Sequence, residues 1–136
     1  LENGLKATPY HPIMWNGKWT FPVDIKAVDK NASCHAVFSF VVESENGTKE
    51  PAMVINDVAC VTLAHGIEND AVASHAYFGT EAIIDDLRKF TGAWKRGLVV
   101  LDYGAMARVS AGNPGFDSLI YGIYPERVID VETYVQ

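Results

Sequence analysis

Three things are scarce in this sequence, and each absence removes a class of function. No apolar segment reaches the roughly 18 residues that a membrane-spanning helix requires, so no membrane span is expected. No run of Lys and Arg occurs, and 11 basic residues face 17 acidic ones for a net charge of −6. Phosphate backbones are held by clustered cations, so nucleic acid is not expected as a partner. Cysteine appears only as Cys34 and Cys60. Two cysteines fit one disulfide or two buried thiols, and they leave the compartment open. Neither Cys-x-x-Cys nor His-Glu-x-x-His spacing is present. The sequence therefore points to no metal site and no cofactor, and a metal-dependent hydrolase would need three of His11, His65, His75, Cys34 and Cys60 to converge. There is also no initiator Met and no signal-peptide pattern, from which Leu1 is expected to begin a fragment or a processed product. Localisation stays open between cytoplasmic and extracellular. Sequons at Asn31 and Asn46 bear on it only if the protein is secreted.

What is present reads as one mostly-β domain with a single helix. At 136 residues, such a domain buries roughly 68% of its unfolded surface. Pro9 and Pro12 keep Lys6 to Met14 extended. Asn16-Gly17 is the strongest hairpin signal, predicting that Ile13–Trp15 pairs with Lys18–Phe21. His35–Ser44 alternates and is rich in Val and Phe, so it reads as a strand. Val54–Leu63 is a nearly continuous apolar, β-branched run and reads as a second strand, buried on both faces and antiparallel to the first. This pairing is expected to bring Cys34 near Cys60 or its neighbours. His75 to Phe78 reads as a short strand.

Thr80 is placed to cap the helix that follows, with Glu81 in its first turn. Ile83, Ile84, Leu87 and Phe90 form its apolar stripe, Asp85 and Asp86 read as its solvated face, and Gly92 is the expected stop. Leu98–Tyr103, Met106–Ser110, Leu119–Tyr124 and Val128–Val135 read as further strands. Trp15, Trp19, Phe21 and Phe38 read as core.

A resemblance gives these pieces a context. VFSFVVES followed by a loop and AMVINDVACVTLAHG resembles the closing β-hairpin of Hint domains, the self-processing fold shared by inteins and Hedgehog proteins. The match is closer to the Vint branch, found beside von Willebrand A modules. That branch typically shows a TPYHP-like element, an x-C-x-x-V-Y-N-F-V-L strand, V-x-C-V-T-L-G-H-G, H-x-Y-F-G and G-W-x-x-G. Here the corresponding residues are Thr8 to Pro12, Cys34 to Val42, Val58 to Gly66, His75 to Gly79 and Trp94 to Gly97, with Ala64 where Gly is usual. The resemblance implies that residues 1–66 are the C-terminal part of a Hint-like β domain. Residues 67–136 would be a Vint-type helix and strand extension packed with it.

The implied chemistry is thiol-dependent self-cleavage. A thiol attacks the preceding carbonyl, the amide nitrogen leaves, and a histidine protonates it while a Thr hydroxyl bonds the amide. The resemblance assigns these roles to His11 and Thr8, with His65, His75 and Cys60 as possible supporting residues. The family's nucleophile lies upstream of its Thr-x-x-His element, and residues 1–7 contain no Cys. The implied partner is therefore the N-terminal half of the Hint domain, or a neighbouring domain of the same parent. Inteins close on His-Asn, whereas here the pair is His65-Gly66, which argues against splicing. The alternative reading is a non-catalytic β interaction or structural module of a larger, possibly extracellular, protein.

Overall fold

The computed structural model describes residues 1–102, 104–108 and 120–129. Its centre is a four-stranded antiparallel sheet built from two hairpins. The first joins β1 (Ile13–Trp15) to β2 (Lys18–Thr20), with Ile13 opposite Thr20 and Trp15 opposite Lys18. Asn16 and Gly17 turn it with φ of +50° and +79°. Two successive positive φ values suit the right-handed twist of the flanking strands, and this is why Asn-Gly forecasts the turn. The chain then makes one helical turn, α1 (Pro22–Ile25), led in by its proline.

The second hairpin corrects the sequence reading. Val54–Leu63 is not one strand. It is broken at Asn56-Asp57, both in the left-handed region at φ +49° and +64°, into β3 (Ala52–Ile55) and β4 (Val58–Val61). Met53 faces Cys60 and Ile55 faces Val58 across this turn. Asn and Asp tolerate positive φ better than other non-glycine residues. Two such residues inside an apolar run make a turn that composition alone does not announce. The sheet order is β2-β1-β4-β3.

That order also shows why His35–Ser44 does not pair with β4. β4 is paired on one side by β3 and on the other by β1, which meets it at Ile13 and Cys60. No edge of β4 is left for Val37–Val42, and the run belongs to no sheet. Its backbone bonds to residues flanking the hairpin: the Phe40 carbonyl accepts from the Leu63 amide (2.8 Å) and the Val42 carbonyl from the Glu50 amide (2.7 Å). A tight turn follows, with an isolated bridge between Glu43 and Lys49 and an ion pair between their side chains. Phe38, expected in the core, is exposed. Cys34 is an exposed thiol and Cys60 a buried one, both free.

The expected strand at His75 to Phe78 is a turn instead. The helix after it is as read: α2 (Glu81–Arg88) begins at Thr80, whose hydroxyl accepts from the Ala82 amide (3.3 Å), and it buries Ile83, Ile84 and Leu87. Gly92 does not end it. α2 closes at Lys89, and Gly92 lies inside a further short helix, α3 (Thr91–Arg96). Gly97 ends that one with φ +84°, a position that favours a residue without Cβ. Trp94 of α3 lies under the Arg88 guanidinium, 5.6 Å from the ring centre.

β5 (Val100–Leu101) pairs with β8 (Val128–Ile129), and β6 (Met106–Arg108) with β7 (Ile120–Ile123), as two small antiparallel ladders. Each is shorter than its apolar run: Leu98, Asp102 and Tyr124 are outside the ladders, and residues 103, 109–110, 119 and 130–135 of the expected strands lie outside the described residues. The molecule is mostly β.

Among the described residues two apolar clusters form the core. One gathers Ala64, Tyr77, Ile83, Ile84, Leu87 and Ile120; the other gathers Leu5, Ile13, Val58 and Cys60, with Trp15 packed against it.

Candidate functional site

Thr8-Pro9-Tyr10-His11 forms a turn, closed by a hydrogen bond from the His11 amide to the Thr8 carbonyl (3.3 Å). In a straight strand Thr8 and His11 would point to opposite faces; the bend removes that obstacle. The turn is fixed from both sides. The Pro9 carbonyl accepts from the Val23 amide (3.1 Å), and the Pro12 carbonyl accepts from the Val61 amide (3.1 Å). The Tyr10 ring meets the Phe21 ring edge-on at 5.5 Å.

His11 is half-buried and its Nε2 lies 2.9 Å from the Val61 carbonyl. A carbonyl can only accept, so Nε2–H donates, and Nδ1 is the nitrogen left for proton exchange. The element thus docks on the end of β4, just before the chain reaches His65.

His65 is buried, and its Nδ1 accepts from the Ile67 amide (2.9 Å). Burial holds its pKa below the ordinary 6.5, and the nearby His75 and His11 push the same way. Three of the four histidines therefore share one region. His75 Nδ1 accepts from two amides, Tyr77 (3.1 Å) and Phe78 (2.9 Å), so Nε2 carries the ring proton. Its ring leans on Phe78 at 4.7 Å. These bonds bend residues 75–78 into a turn, which crosses to the His65 segment: the Ala64 amide donates to Phe78 (2.7 Å) and the Gly66 amide to Gly79 (2.9 Å).

Gly79, the last residue of the H-x-Y-F-G element, has a role here that the sequence reading did not assign to it. A Cβ on it would lie 2.8 Å from His65 Cε1 and 2.8 Å from the His75 carbonyl. Only glycine lets the two histidine segments close on each other. Asp86, expected on the solvated face, is half-buried instead: Tyr77 donates its hydroxyl to it (2.8 Å) and Lys89 bonds the other carboxylate oxygen (3.0 Å). No local sequence spacing signals a bond across a turn and a helix.

Cys60 sits in the core beside Ile13 and Val58, its thiol against the Val58 carbonyl and its pKa raised by burial. That is the environment of a structural thiol rather than a nucleophile. Among the described residues no group of three or more His, Cys, Asp or Glu is placed to hold a metal ion, so the convergence that a metal-dependent hydrolase needs is not found there. No helix of the described residues is long and apolar enough to cross a membrane.

The comparisons with known proteins speak to the same residues. No curated protein matches this chain. A family model does: Vint, described as a Hint-domain, matches residues 1–112, a span that includes Thr8, His11, Cys60, His65 and His75. Ala64 has φ +55°, which gives a physical reason for the glycine usual at that place in the pattern. With the family match running over most of its length, the chain belongs to the Vint family of Hint domains.

Proposed function

We propose that this chain assists thiol-dependent self-cleavage of a larger parent protein. The nucleophilic thiol comes from outside residues 1–7, which contain no Cys. That thiolate attacks the carbonyl carbon before it, the C–N bond breaks, and a thioester forms. The departing amide nitrogen takes its proton from His11 while the Thr8 hydroxyl bonds the strained amide. The observation that carries this reading is the docked turn: Thr8 and His11 are held by one closed turn, and the Val61 carbonyl fixes the tautomer of His11. His65 and His75 act as supports, since their acceptor nitrogens are occupied by backbone amides.

A parent extended upstream to include a Cys should release a fragment when dithiothreitol intercepts the thioester. His11→Ala should slow release by roughly 100- to 10,000-fold, the usual worth of a general acid, and Cys60→Ala should leave the rate unchanged. A parent that stays full-length with thiol present would leave the reading of a non-catalytic β module in its place.

A further inference from the structure

Between His35 and Glu43 the chain carries no charge, glycine or proline, and Val37-Phe38-Ser39-Phe40-Val41 reads the same in both directions. The run is in no sheet, yet it is extended. The Phe38 and Phe40 rings stack with centroids 6.5 Å apart, close to the two-residue repeat of a strand, about 6.6–6.8 Å. The carbonyls of Phe40 and Val42 point at the Leu63 and Glu50 amides. Successive residues of a strand direct their backbone groups to opposite sides, so those of Val37, Ser39 and Val41 face the other way. Among the described residues none of these three makes a backbone hydrogen bond. Side chains also divide. Val41 packs on the α2 cluster, while Phe38 is 64% exposed, Phe40 41% and Val37 64%. Proteins normally cover, charge or shorten an open edge that carries such rings.

We propose that this edge pairs with the same segment of a second copy, as an antiparallel ladder whose two-fold axis passes through Ser39. In that register Phe38 of each copy lies opposite Phe40 of the other, Val37 opposite Val41, and His35 opposite Glu43. The palindrome is what favours a second copy over a foreign strand: in this register like meets like, Phe on Phe and Val on Val, with two aromatic cross-strand pairs at its centre. Val37, Ser39 and Val41 supply the outward N–H and C=O groups that the ladder needs. Five residues a side fall short of the ~800 Å² per partner of a standard interface, so the dimer is weak and concentration-dependent. The inference needs neither Thr8 nor His11 and goes beyond the self-cleavage reading.

Sedimentation velocity on the full chain, from low micromolar to several hundred micromolar, tests it. The apparent mass should rise from 14.9 kDa towards twice that. The double variant Phe38→Glu/Phe40→Glu changes only exposed side chains and should weaken dimerisation at least about tenfold, by loss of both aromatic pairs and juxtaposition of like charges. A short bismaleimide reads the register. It should join two copies of Cys34→Ser/Ser39→Cys across the axis at least about tenfold faster than it joins wild-type copies through Cys34, which falls opposite Ser44. A chain that stays monomeric throughout overturns the proposal and points to another occupant, such as upstream residues of the parent. So does a dimer indifferent to the double variant, or cross-linking that is as fast through Cys34.

Discussion

His65 and Gly79 are the residues whose identity the site depends on most directly. Gly79→Ala would force a methyl to within 2.8 Å of the His65 ring and of the His75 carbonyl, and the latter is backbone that cannot turn aside. We expect a loss of about 1–3 kcal/mol, the usual cost of overpacking, read as a lowered midpoint in urea. His65 sets a pH dependence. Burial lowers its folded-state pKa below 6.5, so the unfolded chain binds a proton first as pH falls. The unfolded state then holds more protons, and stability falls with it. Stability from this residue is fully present above about pH 6.5 and is lost from there down towards the folded value. Urea unfolding between pH 7.5 and 5 should show that decline, and His65→Gln should flatten it.

At the scale of elements, the hairpin turns decide the sheet. Asn16-Gly17 has the preferred pair for two positive φ values, whereas Asn56-Asp57 has the second-best choice at its second position, φ +64°. Asp57→Gly should relieve that conformation. A stabilisation of about 0.5–1 kcal/mol is expected, offset in part by the freer unfolded chain, and a thermal melt would read it. The reverse logic applies to α2, where propensity, cap and apolar stripe agree with one another and the helix formed where sequence placed its start. Agreement between local signals is what makes an element legible. The run Val37–Val42 had only its alternation, and an alternating run becomes a strand only if a partner edge exists.

For the whole molecule, β4 and its continuation are the connection between the two core clusters. Val58 and Cys60 belong to one, Leu63 and Ala64 to the other. Loss of either cluster should therefore unfold both. Ile13, fully buried and facing Cys60, tests this. Ile13→Ala should cost about 2–5 kcal/mol, and tryptophan fluorescence and helix circular dichroism should shift together to the same new midpoint. Separate transitions would mean that the clusters are independent.

The sequence by itself determined the mostly-β class, the first hairpin and the capped helix, because each rests on short-range chemistry: Asn-Gly, a capping hydroxyl, a periodic stripe. Only the tertiary structure decided which strands meet. Val54–Leu63 looked continuous because a turn of Asn and Asp interrupts its hydropathy only briefly. It took the pairing of Ile13 with Cys60 to fill the edge that Val37–Val42 was expected to occupy. The same long-range contacts brought His11, His65 and His75 into one region and made Gly79 indispensable. Those facts depend on segments dozens of residues apart, and no local spacing encodes them.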